Sequence, residues 1–99
     1  MTYAVDPHVV MMVIGIEIPL SQSLKDKRSV IRSLKDRINR RFSVSIAELK
    51  PLDNWQSAYL GFAMIGDNRV LLESTFQHIE TIIVDHPEVK GVQKQIEFL

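Results

Sequence analysis

The sequence predicts an α+β fold in the order β-α-β-β-α-β, with a four-stranded antiparallel sheet and both helices on one face. Three observations carry this reading. Four short runs rich in Val, Ile, Met, Tyr and Phe have the length and residue types of strands. Two longer segments repeat apolar residues at helical spacing. Pro19, Pro51, Gly66-Asp67 and Pro87 separate these runs as turn and stop signals. The order is that of the split βαβ, or ferredoxin-like, arrangement. At 99 residues the chain fits a single domain with one core, residues 1–99, with 1–7 as an N-terminal extension whose order is left open.

The first strand covers His8 to Ile18 and stops at Pro19. Val9, Met11 and Val13 point one way and Val10, Met12, Ile14, Ile16 and Ile18 the other, so burial on both faces is expected. Ser23 caps the first helix, with Asp26 in a capping-box-like place, where side-chain oxygens accept the partnerless N–H groups of the first turn. Leu24, Ile31, Leu34, Ile38 and Phe42 form its core stripe, Val30 sits at the margin, and the helix runs to about Arg41. Ser43 to Leu49 alternates in the period-2 pattern of a half-buried second strand, ended by Pro51.

Leu49 to Gln56 reads as a loop, and Ser57 to Ile65 as the third strand, making a hairpin with the second. Asp67 or Asn68 caps a second helix whose stripe is Leu72, Phe76, Ile79 and Ile83, flanked by Leu71 and Ile82 and terminated by Pro87. Val89 to Phe98 gives the last strand, with Gly91 as a candidate bulge.

Composition excludes several classes of function. The chain has no cysteine, which removes disulfides, thiolate nucleophiles and Cys-based zinc sites. The run Val9 to Ile16 is too short to span a bilayer, which takes about 20 apolar residues. Residues 1–8 lack the basic start of a secretory signal, so no membrane role and a cytoplasmic location are expected. His8, His78 and His86 match no metal-ligand spacing, and neither a phosphate-cradling glycine loop nor a Ser-His-Asp pattern can be drawn. No cofactor and no enzymatic activity are expected.

Net charge is zero but unevenly placed. Between Ser21 and Phe42, eight basic residues (Lys25, Lys27, Arg28, Arg32, Lys35, Arg37, Arg40 and Arg41) face two acidic ones, Asp26 and Asp36, a net of +6 that the rest of the chain balances at −6. A polyanion would meet one face of such a molecule.

The runs Ser21-Gln22-Ser23-Leu24-Lys25-Asp26-Lys27-Arg28-Ser29-Val30, Asn39-Arg40-Arg41-Phe42-Ser43-Val44-Ser45-Ile46-Ala47-Glu48 and Asp53-Asn54-Trp55-Gln56-Ser57-Ala58-Tyr59-Leu60-Gly61 resemble the YlxP-like family of small bacterial proteins. The likeness spans roughly Met12 to Glu80, and "SLKDKR" is its sharpest block. The resemblance implies a ferredoxin-like fold, a bacterial source and a genomic association with ribosome-maturation and translation factors. It brings no catalytic or ligand-binding residues. The residues before Met11 extend beyond the usual start, either as an addition to the first strand or ahead of a true start at Met11 or Met12.

Lys25, Arg28, Arg32, Lys35 and Arg40 fall on the sector of the first helix facing away from its apolar stripe. With Lys27 they are the candidate RNA-binding residues. A solvated outer face and a protein-binding face are the competing readings, although solvated faces usually mix signs. By phase Lys27 belongs in the apolar sector, where it would snorkel or pair with an acid such as Glu48. Base stacking on the sheet, as in RNA-recognition motifs, is disfavoured because the first strand has no aromatic and Leu60 to Met64 has only Phe62.

The helix-free sheet face keeps Val and Met from the first strand, and an exposed apolar patch above roughly 400 Å² usually marks an interface. Homodimerisation, face to face or edge to edge, is therefore expected, unless Leu52 and Trp55 fold over the patch. Glu48, Asp53, Trp55 and Gln56 read as a structural cluster that orients the loop and pairs with Lys27 or Arg28.

The leading expectation is a non-enzymatic accessory factor docking its basic helix on structured RNA, with ribosomal RNA, a ribosomal precursor or a ribosomal subunit as partner. The alternative is a homodimeric module whose basic helix binds an acidic protein. A small-ligand sensor rests on fold analogy alone.

Overall fold

The computed structural model describes residues 4–50 and 54–99. Strand β1 (His8–Glu17) leads into helix α1 (Leu24–Arg41), the hairpin β2 (Ser45–Leu49) and β3 (Ser57–Gly66), helix α2 (Arg69–Val84) and strand β4 (Gly91–Phe98). The sheet runs β2-β3-β1-β4, and every neighbouring pair is antiparallel. Residues 8–10 belong fully to β1: Val10 is wholly buried and pairs with Met64 and Phe98.

Each helix begins at the residue that can satisfy its free N–H groups. The Ser23 hydroxyl accepts the Asp26 N–H at 3.0 Å, and the Asp26 carboxylate accepts the N–H of Gln22 at 2.9 Å, one residue outside the cap. Asn68, not Asp67, caps α2 by accepting the Leu71 N–H at 3.1 Å. Arg40 and Arg41 in the last turn of α1 complement its carbonyl end. Beyond α2, Asp85 serves as C-cap and the buried His86 Nδ1 accepts the Glu88 N–H at 3.1 Å, turning the chain at Pro87 toward β4.

The core lies between the helices and one face of the sheet. Val10, Met12, Ile14, Ile16 and Ile18 meet Leu60, Phe62, Phe76, Ile79 and Ile83 there. Several expectations need correction. In the single chain β1 is buried on one face only, since the other carries Met11 at 37% exposure. Leu24 lies outside the core, because it opens α1 at an exposed end, while of the marginal residues Val30 and Ile82 are buried and Leu71 is exposed.

Gly91 is no bulge. The β1–β4 ladder runs unbroken from Glu17–Gly91 to Val10–Phe98. A Cβ at Gly91 would stand 3.1 Å from Glu17 Cγ, so this position serves close approach. Strand β2 ends at Leu49, and Lys50 turns the chain away with a left-handed φ of 47°. Pro51, expected to end that strand, lies outside the described residues, as do Leu52 and Asp53.

The helix-free face shows three central rows across the strands. They are Leu49-Tyr59-Gly15-Gln93, Ala47-Gly61-Val13-Gln95 and Ser45-Ala63-Met11-Glu97. Tyr59 leans over Gly15 and Leu49 over Gly61, where added Cβ atoms would stand 3.2 and 2.8 Å away. Trp55 is 45% exposed.

Candidate functional site

Helix α1 carries its cations in groups with different surroundings. Lys27 is 3% exposed, and its Nζ donates to the Asn54 carbonyl at 3.1 Å and lies 3.5 Å from the Glu48 carboxylate. The expected pairing with Glu48 is present, and Lys27 stands apart from the outer cations with which it shares a helix.

Lys25, Arg28, Arg32 and Lys35 lie within about 80° of one another around the helix axis and span about 15 Å along it. Lys25, Arg28 and Arg32 are exposed and Lys35 is half-buried. Arg40 sits about 60° beyond this stripe. It joins Arg37, Arg41 and Ile82 around a shallow depression of about 210 Å³ on the α2 side. The five outer residues singled out in the sequence thus form a stripe of four and a separate arginine cluster that also recruits Arg37 and Arg41. The Arg41 guanidinium lies 5.2 Å from the Phe42 ring centre, and Phe42 stacks loosely on His78, with centroids 6.2 Å apart. Phe42 therefore anchors the helix end against α2.

Among the described residues, none of Lys25, Arg28, Arg32, Lys35, Arg37, Arg40 and Arg41 is in an ion pair. Of the four lysines and arginines elsewhere, two are paired: Lys94 meets Glu80 at 2.8 Å and Arg69 meets Glu73 at 3.4 Å. The basic surface of α1 is left to solvent or to an external anion.

The sequence block Ser23-Leu24-Lys25-Asp26-Lys27-Arg28 divides by task. Ser23 and Asp26 build the cap and Lys27 reaches the β2–β3 connection, whereas Lys25 and Arg28 have no partner within the described residues. The connection is held from the other side by Gln56. Its Nε2 donates to the carbonyls of Pro19 at 3.2 Å and Ser21 at 3.4 Å, and its backbone N–H donates to Asn54 Oδ1 at 2.8 Å. Glu48 and Gln56 are accordingly structural. Asp53 lies outside the described residues.

Trp55 differs from its neighbours. Its neighbour Asn54 is held by Lys27, yet nearly half of the Trp55 surface is open. Sequence reasoning grouped it with the structural cluster, and only its exposure separates it. Among the described residues no group of three or more His, Asp or Glu side chains could hold a metal ion, and no helix is long and apolar enough to cross a membrane.

Comparison with solved structures returns the same architecture. The de novo designed protein Foldit4 superposes with a TM-score of 0.60 at 15% identity, covering 95% of this chain and 97% of its own. A de novo designed protein with ferredoxin fold gives 0.57 at 12%, over 90% and 84%. SnoaB, a cofactor-independent oxygenase from Streptomyces nogalater, gives 0.55 at 13%, over 90% of each chain. At such identities the likeness concerns the fold alone. In sequence, the Uncharacterized protein YlxP of Bacillus subtilis (strain 168) is 35% identical over 76 residues, covering 77% of this chain and 83% of that protein. The pattern of the family described as Protein of unknown function (DUF503) matches residues 9–96, nearly the whole of the sheet and both helices, and the chain belongs to that family.

Proposed function

We propose that this chain is a non-enzymatic, cytoplasmic accessory factor that docks the outer face of α1 on structured RNA, with ribosomal RNA or a ribosomal precursor as target. The supporting observation is the set of cations at Lys25, Arg28, Arg32, Lys35, Arg37, Arg40 and Arg41, unpaired among the described residues of a molecule with zero net charge. A solvated face needs no such excess, whereas a stripe about 15 Å long meets several phosphates of a duplex. Lys27 is a tie within the fold in this reading and makes no phosphate contact. Trp55, 45% exposed, adds an open aromatic face on which an unpaired base can stack.

The test is binding of purified protein to isolated small ribosomal subunits across a salt series, beside a variant with Arg28, Arg32 and Lys35 changed to Glu. The expected result is binding that weakens with a log–log slope of about −3 to −5 in total and collapses in the variant. Equal indifference of both proteins at about 50 mM salt, where phosphate contacts are strongest, overturns the reading. A ribosomal partner that survives RNase treatment would instead direct the basic helix to an acidic protein.

A further inference from the structure

We infer that the helix-free face of the sheet is the contact surface of a homodimer, and that the two-fold axis runs across the strands through the row of Val13 and Gly61. The inference stands apart from RNA docking, which uses the opposite side of the molecule.

A one-sided antiparallel sheet normally turns polar residues to water. Here β1 presents Val9, Met11 and Val13, β3 presents Tyr59, Ala63 and Ile65, and β2 presents Ala47 and Leu49. Tyr59 is 45% and Ile65 70% exposed. Glu17, Ser45 and Ser57 lie at strand ends, and the other polar groups on this face form one stripe along β4, Gln93, Gln95 and Glu97. The four strands, of ten, five, ten and eight residues, cover roughly 500 Å² in projection at about 3.3 Å per residue and 4.8 Å between strands. Side-chain relief brings the accessible area toward the ~800 Å² per partner of a stable interface.

The occupant follows from the pattern of sizes. Rotation about an in-plane axis across the strands sets each strand on its own copy and exchanges the rows on either side of Val13. Met11 then faces Gly15 beside the Tyr59 ring, Tyr59 faces Ala63 and Leu49 faces Ser45, and at the strand ends Ile65 faces Ser57 and Val9 faces Glu17. A depression of about 290 Å³ opens beside Gly15 between Tyr59, Glu17 and Gln93, and the incoming Met11 would enter it. The polar stripe of β4 meets itself, with Glu97 opposite Gln93. An axis parallel to the strands would instead set Leu49 on Gln93, burying an amide against an apolar side chain, whereas the transverse axis confines its polar-on-apolar pairing, Glu17 with Val9, to the strand ends. The resulting four-layer assembly carries its two α1 helices on opposite outer surfaces.

Sedimentation equilibrium on the full chain tests this. Wild type is expected at about twice the 11.4 kDa chain mass. Ala63→Glu and Ala63→Tyr each change an exposed side chain on this face and should give single chains with unaltered circular dichroism. The double variant Tyr59→Ala with Ala63→Tyr should restore the dimer, because it reverses which partner is large. Arg32→Glu, on α1, should leave the mass unchanged. Wild type at single-chain mass at tens of micromolar, or a dimer that persists in Ala63→Glu, overturns the proposal. Failure of the double variant to re-associate overturns the axis. If Ala63→Glu lost its circular dichroism, Met11→Lys on the same face would take its place under the same criteria.

Discussion

Lys27 and Glu48 form an ion pair across the boundary between α1 and β2, 3.5 Å apart, with the lysine side chain 3% exposed and the glutamate side chain 23%. A buried ammonium is tolerated only when countered, and here the Asn54 carbonyl shares the task. Removing the acid should therefore hurt more than removing both charge and need. Glu48→Ala is expected to cost about 1–3 kcal/mol. Lys27→Met, of similar length and apolar, should stay within about 1.5 kcal/mol of wild type. Urea denaturation midpoints compare the two; an equal or larger loss in Lys27→Met would show the amine to be a net stabiliser.

Trp55 separates stacking from charge. Trp55→Ala should reduce RNA affinity by about 1–3 kcal/mol while leaving the salt slope unchanged, since stacking releases no counterions. A fall in slope equal to that of an arginine variant would place Trp55 outside the contact. Thermal unfolding should shift little, as the ring is 45% exposed.

The two caps predict local as well as global effects. Ser23→Ala and Asn68→Ala each remove the acceptor of one first-turn N–H, that of Asp26 and that of Leu71. Each should cost about 1 kcal/mol. Amide exchange should quicken at Asp26 in the first variant and at Leu71 in the second, without crossing over.

Strand β4 is an edge strand whose far end is tied down by two contacts. The Arg69 guanidinium lies 4.0 Å from the Phe98 ring centre, and the Leu99 N–H donates to the Val9 carbonyl at 2.8 Å. Arg69→Ala should cost about 0.5–1 kcal/mol and speed exchange at Leu99. Unchanged exchange would mean that the backbone ladder alone holds this end.

Element order, both helix starts and the β2–β3 hairpin were legible because each rests on local chemistry: a capping oxygen, a period, a stop residue. The Lys27–Glu48 pair was legible by phase, a lysine in an apolar sector needing an acid nearby. Leu24 was misplaced because periodicity says which side of a helix a residue faces, not whether the sheet extends beneath that turn. Gly91 read as a bulge for a similar reason, since close approach to Glu17 belongs to a strand far away in sequence. The division of the basic helix was only half visible. Phase alone puts Arg40 near the margin of the outer sector, and α2 assigns it to the company of Arg37 and Arg41. Nothing local distinguishes Trp55 from Gln56, one open and the other tied to Pro19 and Ser21.

The gathering of positive charge on one helix also bears on how the molecule behaves in bulk. With zero net charge and a pI near 6.8, the chain has no monopole to keep copies apart at neutral pH. Its basic face will attract the acidic remainder of a neighbour, and that attraction is longest-ranged when the buffer is dilute. Solubility should therefore rise as moderate salt is added, and a cloudy low-salt preparation would be a property of the folded charge pattern rather than a sign of unfolding.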